Sequence, residues 1–459
     1  MSDTTPMMVS PTQRLGIFAV DRREPLPLPV AEKAAMCLLD ALGLAALARN
    51  EATVQALRDI ASPVHDTCLG ARVWGVNKRV SLSEAVTVNA AAVHALFQDD
   101  NDVPSWSHPA SLVTPVAVTA GESVDASLSD VLRSLAVGYA AMTWLGAEEL
   151  VARALIQRGI RTSPTLGTIA AAAAGSSILG LSEVQAANAI GIASSITGGL
   201  LEPVRSGSDE WRLQNAHAAR GGLLAAQLAR TGMQGAVQGL DGPKGLMRAY
   251  AGLDHVPEWS HNPKLESILA VWAKPWATLG DNVSAVAAAS ALRDSGVNPA
   301  DILEMKVTIW RHYAEYPGTG YAGPFDSVAQ ALASTAFGVS AMLALGELDY
   351  SVSVKRRKDP NILRLVHCVT VEPHDGEWHE ATIEAKLRDG RIVQRTCADG
   401  PRELMFHQPQ TAVALFEDRL RVSGSRPGVG AALAAQVFEV AQGHAQMSIR
   451  KLVDMMELA

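Results

Sequence analysis

The chain has 459 residues, which exceeds the size at which one hydrophobic core keeps growing, so two domains are expected. Hydrophobic residues make up 48% and charged residues 19%, as in an ordinary soluble protein. The sequence contains no run of about 20 strongly apolar residues, so no membrane-spanning helix is predicted. The formal net charge of −8 leaves no broad excess of Lys and Arg to neutralise phosphates, which argues against nucleic acid as a partner.

The first 250 residues show mainly the apolar spacing of helices. A polar lead covers 1–29, and apolar residues at helical spacing then predict helices over 30–47 and 51–61. Residues 71–80 fit either a short strand or a loop. Ser81-Leu-Ser-Glu is a typical helix start and predicts a long helix after it. The same patterns predict further helices over 109–121, 129–146, 212–231 and 244–251.

Small residues dominate the region 162–200. A row of alanines from Ala170 to Ala174 is followed by Gly175, and Gly198-Gly199 ends the region. Helices that carry small residues on every face can pack with their backbones close together. The pattern also resembles a membrane dimer face, but it lacks the apolar bulk that lipid requires. We therefore expect buried helices of a soluble core.

Strand patterns begin after residue 258. Alternating residues predict strands over 302–310 and 363–372, and 380–396 is typical of a hairpin that turns at Asp389-Gly390. Helices are predicted over 283–294 and 327–345, and again from 408 to the end. The fold class predicted is therefore mainly α, with an all-helical domain built from 1–265 and 405–459 and an inserted α+β domain over 266–404.

A cluster of acids stands where one predicted helix ends and the next begins. Asp99, Asp100 and Asp102 precede Ser107-His108-Pro109, and Pro109 fits the first position of the new helix. The positive helix end favours negative charge and disfavours a protonated imidazole. A neutral histidine beside carboxylates predicts an acid/base site for an anionic substrate. The alternative is that the acids are solvated loop charge and His108 is a simple cap.

Metal and redox sites are not predicted. His374 and His379 lie on the expected turn between two strands without a third convergent ligand, so a surface loop is the better interpretation. The four cysteines are far apart and form no metal or redox spacing, which is typical of reduced thiols in the cytoplasm. The first ten residues have no basic start and no apolar core, so no secretory signal is expected. The cysteines are Cys37, Cys68, Cys368 and Cys397.

Several short segments together resemble the MmgE/PrpD family. They follow the family order over roughly 30–350: Asn89 to Leu96 with Asp99-Asp100, His108-Pro109, Gly138-Tyr139, Ser163-Pro164-Thr165, Leu179 to Ala193, Arg212-Leu213, and Lys274-Pro275-Trp276. The resemblance implies a large all-helical domain made from both chain ends and a smaller α+β lid domain. It also implies a homodimer whose active site lies between the domains and needs no cofactor.

The resemblance also implies a set of site residues. His108, Asp99 and Asp100 are the expected catalytic residues, and the expected substrate-binding residues are Arg212, Lys274, Trp211, Ser163, Thr165 and Phe337. The chain departs from the family pattern at several of these positions. Trp211 replaces a lysine, Ser163 replaces a histidine and Phe337 replaces a tyrosine of the decarboxylases. Phe97 replaces the first aspartate of the acidic loop, and Leu279 falls where decarboxylase relatives can carry a histidine.

The family reactions share one step, the movement of a proton next to a carboxylate, which needs a base and a cation or N–H donors. The resemblance therefore predicts a lyase or isomerase that acts on a small carboxylic acid by dehydration, decarboxylation or epimerisation. The aromatic replacements predict a more apolar pocket. The alternative is an inactive relative that serves as a binding or assembly protein. Arg212 could equally pair with a surface acid, Lys274 cap a turn, and Asp99 cap a neighbouring helix.

Overall fold

A computed structural model describes residues 9–64, 70–403 and 408–458. Helices dominate these residues, and their strands form one two-stranded and one four-stranded sheet. The prediction of a mainly α fold with a smaller α+β part is confirmed. No helix in the described part of the chain is both long and apolar enough to cross a lipid bilayer. Cys68 lies outside the described residues.

Up to residue 230, the regular structure of the described residues consists of helices and one short hairpin of β1 (Gly70–Val73) and β2 (Lys78–Ser81). The helices are α1 (Pro11–Val20), α2 (Leu28–Leu47), α3 (Ala52–Ile60), α4 (Leu82–His94), α5 (Ala110–Val124), α6 (Leu128–Gly146), α7 (Leu150–Gln157), α8 (Thr162–Ile178), α9 (Glu183–Ser195), α10 (Glu202–Ser206) and α11 (Trp211–Arg230).

The polar lead expected over 1–29 was wrong for residues 11–20, which form helix α1. Ser10 and Gln13 form a capping box, and Pro11 occupies the first turn, where its missing N–H costs nothing. The helix packs on α9 so closely that a Cβ atom at Gly16 would lie 2.4 Å from the backbone nitrogen of Ala187. The sequence lacks a strong apolar stripe here because the contact is made by small residues.

The alanine-rich region forms the centre of the helical part, as predicted. Helix α8 is buried over its whole length and packs against α6 and α11. A Cβ atom at Gly167 would lie 2.4 Å from Leu112, and one at Gly222 would lie 2.4 Å from the Cβ of Ala171. Glycine and alanine are therefore needed at these helix crossings.

Short helices lead into the α+β part. They are a π-helix (Met247–Ala251) and 3₁₀ helices (Pro257–Ser260, Leu265–Ala270, Gly280–Asn282 and Pro299–Asp301), followed by α12 (Val283–Asp294), α13 (Arg311–Ala314), α14 (Val328–Ala333), α15 (Thr335–Leu345), α16 (Tyr350–Lys355), α17 (Pro360–Val366) and α18 (Gly400–Glu403). The four strands are β3 (Ile302–Trp310), β4 (Val369–His374), β5 (Ala381–Leu387) and β6 (Ile392–Cys397), in the order β4-β3-β5-β6. Strands β3 and β4 are parallel, and the other two pairs are antiparallel.

Two predicted boundaries in this part were wrong. The strand expected over 363–372 begins only at Val369, because Asp359 caps α17 and Pro360 occupies its first position. The helix expected over 327–345 is divided at Ser334, whose extended backbone and side chain cap α15 through the N–H of Phe337. In both cases a capping side chain, Asp359 for α17 and Ser334 for α15, starts a helix at a position that the pattern of apolar residues does not mark.

The C-terminal helices return to the helical part. They are α19 (Pro409–Val422), α20 (Val429–Ala441) and α21 (Ile449–Leu458). Arg419 on α19 forms a buried ion pair with Asp40 on α2, and the two ends of the chain share one hydrophobic core. The buried residues described for a second core lie between Ala285 and Leu387, and Trp106 and Trp276 pack against them. The predicted domain limits at 265/266 and 404/405 stay a prediction.

Candidate active site

The acidic loop between α4 and α5 is buried rather than solvated. Asp99, Asp100 and Asp102 are at most 1% exposed, so the alternative of solvated loop charge is wrong. Two residues of the loop, Phe97 and Trp106, have φ angles of 58° and 48°, which side-chain-bearing residues adopt only where the surroundings fix them. The loop is thus a fixed part of the core.

His108 is buried at the end of this loop in a defined tautomer. Its backbone N–H donates to Ser163 Oγ at 3.2 Å, and its Nδ1 lies 2.8 Å from the carbonyl oxygen of Asp100. A carbonyl oxygen can only accept, so Nδ1 carries the proton and Nε2 is the basic nitrogen. Burial lowers the pKa of His108 to about 3, which keeps the imidazole neutral. Helix α5 begins at Ala110, one residue later than the prediction that placed Pro109 at its first position.

Asp100 supports the start of helix α5. Its Oδ1 accepts the N–H of Ala110 at 2.9 Å, and its Oδ2 accepts the hydroxyl of Tyr139 at 2.6 Å. Burial raises the pKa of Asp100 well above its usual range, against these two hydrogen bonds. Both carboxyl oxygens are used within the protein, and the catalytic role expected for Asp100 stays a prediction.

Asp99 belongs to a buried chain of three side chains. His94 Nδ1 lies 2.7 Å from Asp99 Oδ2, and an Nη2 proton of Arg161 points to His94 Nε2 at 2.7 Å. Because a guanidinium only donates, His94 Nε2 accepts and Nδ1 donates to Asp99. Burial lowers the pKa of His94 to about 4, whereas His94, His108 and Lys274 hold the pKa of Asp99 below its usual range despite burial.

Sequence reasoning missed Arg161 and His94. Arg161 is 3% exposed and also donates to the carbonyl oxygen of Trp211 at 2.8 Å and to Gln214 Oε1 at 3.0 Å. His94 stood in a segment that carried the family resemblance, so it could have been found. Arg161 gave no signal, because its three partners lie 50 or more residues away along the chain.

Lys274 is a fully buried cation without a hydrogen-bond partner in the part of the chain that the structure describes. Its Nζ has no acceptor among the described residues and lies 5.1 Å from the ring centre of Phe97. Burial lowers the pKa of Lys274 to about 8, although Asp99 and Asp281 oppose this shift. The expectation that Lys274 caps a turn is wrong, since Nζ binds no carbonyl in the described chain. An unpaired buried ammonium is unfavourable unless an anionic ligand satisfies it.

Arg212 is held by the protein. Its guanidinium donates to the carbonyl of Ala95 at 3.2 Å, to the exposed Asp209 at 2.8 Å and to the hydroxyl of Tyr350 at 2.9 Å. It lies 4.2 Å from the ring centre of Trp211. The alternative that Arg212 pairs with a surface acid is therefore correct for its contact with Asp209. The expected contact of Arg212 with a substrate stays a prediction.

The remaining expected site residues fall into two places. Trp211 lies beside the acidic loop, with its ring centre 4.9 Å from that of His94 and 4.6 Å from that of Phe97. Ser163 contacts His108 as described, and Thr165 donates its hydroxyl to the carbonyl of Arg161. Phe337 is buried in the second core against Phe325, with ring centres 5.1 Å apart.

A small cavity lies between the acidic loop and the α+β part. Its volume is about 40 Å³, and its walls include His108, Asp102, Trp106, Asp281, Tyr313 and Tyr316. The walls are joined by backbone hydrogen bonds between Asn101 and Trp272 in both directions. Gly280 approaches so closely that a Cβ there would lie 2.0 Å from the Asn101 amide nitrogen. The site therefore brings neutral His108 to a small, partly open cavity that is lined by polar and aromatic side chains.

The family of this chain is shown by comparison with known proteins. The profile of the MmgE/PrpD N-terminal domain matches residues 17–258, which is more than half of the chain. The chain belongs to the MmgE/PrpD family. The resemblance predicted from the acidic loop, His108-Pro109 and the alanine-rich helices is confirmed.

Three curated relatives carry related names. A cis-aconitate decarboxylase-like protein of Aspergillus oryzae is 33% identical over 216 residues, which cover 45% of this chain and 43% of the relative. The cis-aconitate decarboxylases of Homo sapiens and Aspergillus terreus are each 29% identical, over 48% and 50% of this chain and 46% of each relative. This MmgE/PrpD-family chain thus spans about half the length of the curated relatives it matches.

Proposed function

We propose that this MmgE/PrpD-family protein is a lyase that decarboxylates a small carboxylic acid without a cofactor. The observation that carries the proposal is the buried neutral His108, whose Nε2 is the basic nitrogen, at a small, partly open cavity. The names of the curated relatives favour decarboxylation over dehydration and epimerisation. All three reactions use the same proton movement next to a carboxylate.

The residues of the site supply the parts of such a reaction. In a decarboxylation, His108 Nε2 takes the proton of a leaving carboxyl group that is bound in its acid form, and in an isomerisation it takes the proton of the neighbouring carbon. The carbon–carbon bond then breaks, carbon dioxide departs, and the carbon that keeps the electron pair takes up a proton. Lys274 is the cation for a retained carboxylate, because its ammonium is buried and unpaired in the described residues.

The replacements beside the acidic loop support a less charged substrate. Phe97 and Trp211 place aromatic rings where the family pattern has an aspartate and a lysine, and the two rings contact each other. Both rings lie outside the lining of the cavity at His108, so it is the loss of the two charged side chains that favours an acid with a hydrocarbon part over a tricarboxylate. Arg161 keeps one guanidinium nearby, but it is bound to His94 and Trp211.

The second candidate function is a binding or assembly protein that has lost activity. The observation that favours it is the small cavity of about 40 Å³, which is closely lined by aromatic rings. A substrate of several carbon atoms requires the acidic loop and the α+β part to separate. Ligand binding without turnover would favour this second candidate.

We also propose a homodimer in the cytoplasm. Ile196, Leu200, Leu213 and Leu224 are between 41% and 63% exposed. They belong to neighbouring parts of the surface, since Gln214 on α11 donates to the carbonyl of Leu200 and Gly221 lies beside Ile196. An apolar surface of this kind fits a second copy of the chain. Light scattering of the purified protein tests the dimer.

The test of the proposed function is turnover of a panel of carboxylic acids. The panel contains cis-aconitate, other di- and tricarboxylates, and monocarboxylates with longer hydrocarbon parts, and both carbon dioxide release and proton NMR of the product are measured. His108→Ala is expected to fold normally and to lose activity by a factor of at least ~100. His444→Ala at an exposed position is the matched control. Equal activity of His108→Ala and wild type would refute the proposal.

A further inference from the structure

Asp281 stands on the wall of the cavity that faces the acidic loop. It lies in the 3₁₀ helix Gly280–Asn282, which leads directly into α12. The same cavity is lined by His108 and Asp102 from the loop and by Tyr313 from the α+β part. Gly280 contacts Asn101 of the loop, and Asp281 and His108 line the same cavity.

Asp281 is half-buried, and its carboxyl group is incompletely hydrogen-bonded. Its Oδ1 is buried without a partner among the described residues. Burial raises the pKa of Asp281 to about 7, while its own backbone N–H and the charge of Lys274 oppose the shift. Tyr313 and Tyr316 face it as neutral phenols, since burial raises both of their pKa values. A buried carboxyl group without a full set of donors is better satisfied when it carries a proton.

The proposed reaction needs a proton donor in addition to its base, because neutral His108 has no proton on Nε2. The tautomer of His108 leaves Nε2 as an acceptor, and the proton on Nδ1 is bound to the carbonyl of Asp100. The carbon that keeps the electron pair must still receive a proton.

We propose that Asp281 is a further catalytic residue of this site, the proton donor to a substrate bound in the cavity that it shares with His108. The inference rests on the proposed function. In a decarboxylation, the electron pair of the breaking carbon–carbon bond stays on the substrate carbon, and the Asp281 O–H proton moves to that carbon. Carbon dioxide leaves, and the Asp281 carboxylate regains its proton from water. His108 returns to the neutral form by releasing its proton to water.

The test compares Asp281→Asn with wild type on the best substrate of the acid panel. Asparagine keeps the shape of the side chain but has no acidic proton, so kcat at pH 6 is expected to fall by roughly 100-fold with little change in KM. The kcat of wild type is expected to decline as the pH rises above about 7, where Asp281 loses its proton, and this decline is expected to be absent in the residual activity of Asp281→Asn. Asp294→Asn, at the exposed end of α12, is the matched control.

The outcomes separate this inference from the proposed function. If wild type turns over an acid and Asp281→Asn is active within threefold of it, the role of Asp281 is overturned and the proposed function stands. If wild type turns over no acid of the panel, the proposed function fails and the inference fails with it. If Asp281→Asn does not fold, the pH profiles of Asp281→Glu and of wild type test the inference instead. If Asp281 is the proton donor, kcat of Asp281→Glu and kcat of wild type both decline as the pH rises. A wild-type kcat that is constant from pH 5 to 9 overturns the inference.

Discussion

His108 Nδ1 lies 2.8 Å from the backbone carbonyl oxygen of Asp100, and this hydrogen bond decides which ring nitrogen can act as a base. The carbonyl is held in place because the Asp100 side chain binds the N–H of Ala110 and the hydroxyl of Tyr139. The Asp100 carboxyl group therefore affects the proposed chemistry indirectly, because it fixes the backbone carbonyl that sets the tautomer of His108. Substitutions around the site should separate such supporting groups from groups that contact a ligand.

Lys274→Met is expected to change stability and activity in opposite directions. Removal of a buried ammonium without a described hydrogen-bond partner should raise the free energy of unfolding by about 1–2 kcal/mol. The same change should lower kcat/KM by at least ~100-fold, because the cation for the substrate carboxylate is lost. Urea denaturation and initial rates measure the two effects, with the exposed Lys264→Met as control. A variant that is less stable than wild type would show that Lys274 is structural.

Arg161→Lys is expected to lower the free energy of unfolding by about 1–3 kcal/mol. A lysine cannot reach His94 Nε2, the Trp211 carbonyl and Gln214 together, so buried acceptors lose their donor. Nitrogen NMR of the histidines should report a change at His94, whose tautomer is set by Arg161 and Asp99. The exposed Arg158→Lys should leave stability and spectrum unchanged. An unchanged His94 signal in Arg161→Lys would contradict the described hydrogen bond.

Glu122→Gln is expected to remove a pH dependence of stability. Burial raises the pKa of Glu122 in α5 to about 7, against hydrogen bonding and charge from Arg72 and Arg79. Between about pH 4.5 and 7 the folded protein holds a proton that the unfolded chain has released, so stability falls as the pH rises, by up to about 3 kcal/mol. The difference in unfolding free energy between Glu122→Gln and wild type should grow over this range. The exposed Glu24→Gln is the control, and a constant difference would disprove the shift.

Arg419→Met tests how the C-terminal helices are attached. The ion pair of Arg419 with Asp40 is buried, so removal of the cation alone leaves a buried carboxylate and should cost about 3–5 kcal/mol in chemical denaturation. The double variant Asp40→Leu with Arg419→Met should recover most of this loss, because two apolar side chains can fill the same space. The exposed Arg421→Met is the control. Additive losses in the double variant would mean that the two residues are not coupled.

The sequence by itself determined the features that depend on neighbouring residues. Ser81 and Glu84 form the capping box that opens α4, and the hairpin turns at Asp389-Gly390 between β5 and β6 as predicted. The acidic loop with His108-Pro109 also lay within one segment, so its resemblance to the family could be seen. The close packing of α8 followed from a row of alanines. These features are local because caps, turns and helix faces are set by residues within a few positions of one another.

Only the tertiary structure decided which charges meet at the site. Arg161 reaches His94 across 67 residues of chain, whereas Arg212, which the family pattern made the carboxylate binder, is bound to Asp209 and Tyr350. Asp281 and His108 are 173 positions apart in the numbering and share one cavity. Such pairs are chosen by the packing of whole helices, because a buried charge is tolerated only where distant elements supply its partners. No local pattern in the sequence carries that information.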